Sequence, residues 1–78
     1  MIVTLYLKPD CHLCEDAIDT LRRLARRYPH ELRTVDITAD PAVYARYWDQ
    51  IPVLVVDGRE YAPPLSPPVL ERALRGVW

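Results

Sequence analysis

Apolar and polar positions change period several times along the chain, and each change marks an element. Ile2-Val3-Thr4-Leu5-Tyr6-Leu7 is β-branched, aromatic and almost continuously apolar, which predicts a buried strand, and Lys8-Pro9-Asp10 predicts a turn out of it. The period then lengthens. Cys14, Ile18, Leu21, Ala25 and Tyr28 recur at helical spacing as one apolar stripe, while Glu15, Asp19, Arg22, Arg23, Arg26 and Arg27 fall largely outside it. Acidic residues lead and basic ones trail, as the helix dipole prefers. Asp10 is the expected N-cap and Pro29 the expected stop.

Leu32 to Ile37 alternates with mixed faces and predicts a second, less buried strand. Thr38-Ala39-Asp40-Pro41 predicts a turn in which Asp40 caps a short helix opened by Pro41 and running to Tyr47, with Trp48, Asp49 and Gln50 as the exit. Val53-Leu54-Val55-Val56 is an unbroken apolar run, the pattern of a central strand, and Asp57-Gly58 is a hairpin signal returning through Arg59-Glu60-Tyr61. Past a proline-rich connection, Ser66 is placed to cap a last helix with Pro67 at its first position, Val69, Leu70, Ala73 and Leu74 facing inward, and Gly76 as the stop. The order strand, helix, strand, helix, strand, strand, helix predicts an α/β fold. Its first two strands are parallel through a right-handed crossover and its last two form an antiparallel hairpin, giving a four-stranded mixed sheet with helices on both faces.

The 78 residues allow one domain spanning 1–78, with a monomer expected. Half of them are apolar and 27% charged, the balance of a soluble globular protein. A formal net charge of -1 supplies no steering toward nucleic acid, and the Arg22, Arg23, Arg26 and Arg27 cluster reads as helix solubility and favourable end charge. No stretch approaches the ~18 apolar residues of a membrane span, and no basic region precedes the first apolar run, so a cytoplasmic protein without membrane partners is expected. Tyr44, Tyr47 and Trp78 read as packing or surface anchors, and His30 as a solvated residue at a helix end.

Within this framework the chemistry lies in Cys11-His12-Leu13-Cys14, at the junction of the first strand and the first helix. A cysteine in the first turn of a helix meets unpaired backbone N–H groups and the positive end of the dipole, and both favour a thiolate. These are the only two cysteines, and a bond between them closes too short a loop to constrain the unfolded chain, so a reversible dithiol explains them better than a structural bridge. Two other readings compete. A structural zinc site wants four ligands, yet no second Cys-x-x-Cys exists and His30 lies at the far end of the predicted helix; a dimer bridging an iron–sulfur cluster is the remaining metal option. A fold retained as a protein-binding module, with an idle dithiol, is the other.

Three stretches together resemble the glutaredoxin-like branch of the thioredoxin superfamily, in particular its short bacterial members. They are Leu5-Tyr6-Leu7-Lys8-Pro9-Asp10-Cys11-His12-Leu13-Cys14, Val35-Asp36-Ile37 before an acid-and-proline turn, and Gln50-Ile51-Pro52-Val53-Leu54-Val55 before Asp57-Gly58. The similarity spans nearly the whole chain. It implies a thioredoxin-like fold and a thiol–disulfide oxidoreductase without a cofactor, in which Cys11 attacks and Cys14, on the apolar stripe, resolves the mixed disulfide. It also implies a cis bond before Pro52, leaving the Ile51 N–H and C=O to pair with an extended substrate beside Cys11.

Lys8 matches a lysine that in such proteins stabilises the thiolate or meets a carboxylate of glutathione. His12 stands where many have proline, and helps a neighbouring thiolate only when protonated. Asp10, Glu15 and Asp16 oppose this by like-charge repulsion of the thiolate, although Glu15 and Asp16 also sit favourably at the helix start. Tyr6 and Trp48 are candidates to frame an apolar substrate groove. The implied partner is a protein disulfide or a low-molecular-weight thiol, with glutathione as a possible co-substrate. Tyr61-Ala62-Pro63-Pro64-Leu65-Ser66-Pro67-Pro68 departs from the family here, because it replaces the paired-glycine loop and acidic residue that hold glutathione, and prolines lack the N–H such recognition uses.

Overall fold

Eight segments of regular backbone are laid out along the chain in the computed structural model, which describes residues 1–76; Trp78 lies outside them. They are β1 (Ile2–Leu7), α1 (His12–Leu24), β2 (Glu31–Asp36), a 3₁₀ turn (Ile37–Ala39), α2 (Pro41–Tyr47), β3 (Val53–Val56), β4 (Arg59–Tyr61) and α3 (Pro67–Arg75). The sheet order is β2-β1-β3-β4. β1 runs parallel to β2 with Ile2 opposite Glu31, while β3 is antiparallel to both β1 and β4. This is the thioredoxin-like arrangement, with the apolar runs of β1 and β3 at its centre. Among the described residues no helix is long and apolar enough to cross a membrane.

Alternation along β1 and β3 divides the core into two layers. Val3 and Leu5 face Val56 and Leu54 across the strands, and on that side they bury against Ala17 and Leu21 of α1 and Leu70, Ala73 and Leu74 of α3. Val53, Tyr6 and Val55 point the other way, onto Ile37, Val43 and Tyr47. Asp57 and Gly58 take φ of 49° and 79°, the two left-handed positions that a tight hairpin needs. Gly76 closes α3 at φ 74°.

Several local expectations need correction. α1 ends at Leu24, short of Pro29. The residue before a proline is pushed out of the α region, so the chain unwinds early, with Arg27 and Tyr28 N–H both returning to the Leu24 carbonyl. That unwinding turns Tyr28 toward α3, where its hydroxyl donates to Glu71 at 3.0 Å. His30 is half-buried and donates from Nδ1 to the Tyr28 carbonyl at 2.7 Å, so it is not simply solvated. Ser66 occupies the N-cap position of α3 without a side-chain capping bond, whereas Asp40 caps α2 through the Ala42 and Val43 N–H groups.

A polar tie joins α2 to the hairpin. Glu60 on β4 accepts from the Tyr47 hydroxyl at 2.6 Å and from Arg46 Nη2 at 2.9 Å. The bonds from Tyr47 and then Arg46 hold the Glu60 carboxyl below its ordinary value of 4.5. A carboxyl depressed on folding contributes stability that is whole above the ordinary value and is lost as pH falls through the folded one. In thermal melts Glu60→Gln is expected to melt below the wild type at neutral pH, with the gap narrowing as pH falls below 4.5. A gap of constant size over that range contradicts this account of the tie.

Candidate functional site

β1 ends at the turn Lys8-Pro9-Asp10, and Asp10 enters the left-handed region at φ 57°. That conformation turns the backbone sharply enough for the next residue to begin the helix. Cys11, not Asp10, is therefore the N-cap of α1: it is extended, its carbonyl accepts from Glu15 N–H at 3.1 Å, and its Sγ accepts from Cys14 N–H at 3.2 Å. A sulfur in this place receives one of the helix's otherwise unpaired donors as well as the positive end of its dipole.

Cys11 and Cys14 are joined as a disulfide with their Cα atoms 5.2 Å apart, inside the ordinary range for such a bond. The two sulfurs differ in surroundings. Cys11 is partly open to solvent, while Cys14 retains 2% of its surface and belongs to the core. The asymmetry follows from helix geometry, since Cys14 lies on the buried face with Ala17 and Leu21 and Cys11 lies at the end. Lys8 and His12 are exposed on either side of Cys11 in the chain. Among the described residues no three His, Cys, Asp or Glu side chains are grouped to share a metal ion.

Beside the pair runs a groove of about 650 Å³. Leu13, Asp16, Asp19, Thr20 and Arg23 of α1 form one wall; Pro52 and the segment 63–67 form the other. Both the Ile51–Pro52 and the Pro63–Pro64 bonds are cis. Pro52, which lines the groove, is buried, and Ile51 before it is half-buried. The second residue between the cysteines thus lines the same groove as Pro52, which is some forty positions away in the chain.

Tyr6 is not part of this groove. Period-two alternation sends it to the opposite face of β1 from Leu5, where its ring stacks on Tyr47 at 4.5 Å between centroids. Trp48 is 57% exposed beyond α2 and lines no wall of the groove. Leu13 falls outside the apolar stripe, yet it lines the groove and is 62% exposed. A large apolar residue off the stripe of an amphipathic helix, next to a cysteine, is the signal that marks it. Asp16, Asp19 and the 63–67 wall had no comparable signal, because their meeting depends on how α3 docks.

A family model described as a glutaredoxin-like domain matches residues 2–76. Uncharacterized proteins of Mycobacterium tuberculosis and Mycobacterium bovis are each 28% identical over 65 residues, which is 77% of this chain and 67% of theirs. Target protein XcR50 from X. campestris has a similar solved structure, with a TM-score of 0.80 at 34% identity over 97% of this chain and 99% of its own. The glutaredoxin-like protein NrdH-redoxin from Escherichia coli shares the fold, with a TM-score of 0.65 at 20% identity over 92% of this chain and 93% of its own.

The left-handed turn at Asp10 is open to a direct test. Glycine adopts that conformation without steric cost and alanine does not. Asp10→Ala is expected to be about 1 kcal/mol less stable than Asp10→Gly in urea denaturation. Equal stabilities would show that the turn relaxes out of the left-handed region.

Proposed function

The chain belongs to the glutaredoxin-like domain family and is a thiol–disulfide oxidoreductase of the Cys-x-x-Cys kind, and from that premise we propose that Cys11 is its attacking sulfur and Cys14 its resolving one. The contrast in burial between two sulfurs within bonding reach carries this reading. An exposed sulfur can meet a substrate in line; a buried one can reach only its neighbour.

In the reduced protein the Cys11 thiolate attacks one sulfur of a substrate disulfide. A new S–S bond forms, the substrate bond breaks, and the departing substrate sulfur leaves as a thiolate that takes a proton from solvent. Cys14 then gives up its proton and attacks Cys11 Sγ, which expels the second substrate thiolate and closes the Cys11–Cys14 bond. Two electrons have passed from the protein to the substrate, and an external thiol or dithiol returns them. Each step is reversible, so the same residues serve oxidation when potentials favour it.

The Cys14 N–H bond to Cys11 Sγ supports the thiolate in the first step and the same sulfur as leaving group in the reverse one. We assign the Ile51 N–H and C=O to holding an extended substrate backbone, and the exposed Lys8 and His12 to offsetting negative charge beside the sulfur. Trp48, exposed beyond α2, is assigned to the outer rim of the substrate surface. A protein disulfide or a low-molecular-weight thiol is the substrate class. A bridge of such short span suits transient use in a reducing compartment such as the cytoplasm.

Cys14→Ser exposed to a disulfide substrate is expected to accumulate a mixed disulfide at residue 11, visible by intact mass and peptide mapping, whereas Cys11→Ser is expected to form none and to lose turnover. An adduct on Cys14 of comparable yield in Cys11→Ser would reverse the assignment. Thiolate absorbance of the reduced protein is expected to rise with a midpoint below the free-cysteine value of ~8.5, and alkylation of Cys11 should accelerate with pH through the same midpoint. A midpoint at or above that value argues against the capping bond as an activating contact.

A further inference from the structure

We propose that the groove between α1 and the 63–67 segment takes an extended segment of a protein substrate that carries an apolar residue and a basic residue beside its reactive cysteine, in preference to glutathione. This rests on the oxidoreductase reading above and names the substrate of that site. Leu13, which stands between the two cysteines in the chain, and Pro52 both line the groove. An occupant of it therefore lies one residue from Cys14 and two from Cys11 along the chain.

The far wall is poor in hydrogen-bond donors. Pro63, Pro64 and Pro67 carry no N–H, and prolines occupy the first two positions of α3, where backbone donors would otherwise be free. Helix starts ordinarily receive carboxylates through those donors. Glutathione has a carboxylate at each end and a net negative charge, so this wall offers it little. The same prolines, with Leu13 and Leu65, offer an apolar side chain a surface to cover.

The α1 wall adds a charge preference. Asp16 and Asp19 lie one turn apart, both exposed and both lining the groove, and neither is in an ion pair among the described residues. Arg23, the cation on that wall, lies a further turn away and donates from Nη2 to Thr20 Oγ1 at 3.2 Å. The stretch nearest the cysteines is thus acidic and takes a cation. At 1.5 Å per residue, Asp16 and Asp19 stand roughly 8 and 12 Å along the helix from Cys11. An extended strand advances ~3.3 Å per residue, so the complementary lysine or arginine falls roughly two to four positions from the substrate cysteine.

The test uses the full chain and three matched disulfide-bonded peptides, each with leucine beside the cysteine and lysine, glutamine or glutamate three positions from it, together with oxidised glutathione and a small neutral disulfide. Rates normalised to the neutral disulfide are expected to fall in the order lysine, glutamine, glutamate, with about tenfold between the extremes at low salt. That ratio should shrink to within about twofold in Asp16→Asn/Asp19→Asn and should narrow as salt rises. Oxidised glutathione should turn over more slowly than the lysine peptide. Equal rates for the lysine and glutamate peptides, a preference that survives the double variant, or faster turnover of glutathione would overturn the inference while leaving the oxidoreductase reading intact. Inactivity toward every disulfide, the neutral one included, would overturn that reading and this inference with it.

Discussion

Val3 and Leu5 of β1 and Leu54 and Val56 of β3 are shut away from solvent beneath α1 and α3, and the position of the reactive sulfur follows from that burial. Each such side chain contributes ~1.5–3 kcal/mol when removed from water, so sliding β1 by one residue would forfeit several contacts together. With β1 held in place, the turn after Leu7 has one place to go. Asp10 bends it there at positive φ, and Cys11 arrives at the start of α1 with its sulfur inside reach of the Cys14 N–H. The core thus acts on the chemistry through backbone position, and the core side chain that meets the outward sulfur is its own disulfide partner, Cys14.

A single residue serves two purposes at that junction. As N-cap, Cys11 satisfies a donor that the helix start would otherwise leave to water; as nucleophile, it draws from that donor and from the dipole the stabilisation its negative charge needs. Cys14 gains from the same helix in the opposite sense, because its position on the apolar face keeps water and foreign disulfides away from it. Less than one helical turn separates exposure from burial, and that suffices to divide the labour between attack and resolution.

Much of this was legible in the order of residues. Alternation, helical spacing, the Asp57-Gly58 turn and the Asp40 cap are local signals, and all of them describe the observed elements. Where local reading failed, a competing contact had entered. Asp10 has the right chemistry for a cap but sits in a left-handed turn, which leaves the role to the cysteine after it. Tyr6 looked available for a substrate, yet strand parity sends it onto Tyr47. Pro29 does act on α1, though through the residue before it, and the helix yields several residues early in favour of the Tyr28 bond to Glu71.

What the residue order determined alone was the cysteine pair at a strand-to-helix junction, the sequence of elements, and the scarcity of backbone donors along the proline segment. Each is a property of a residue and its near neighbours. Tertiary structure decided the rest: that Leu13 and Pro52 share a groove, that 63–67 lines it with Asp16 and Asp19, and that Glu60 meets Tyr47 and Arg46. Those meetings join residues far apart in the chain, and they depend on the docking of α3 and α2 on opposite faces of one sheet, which no local pattern specifies.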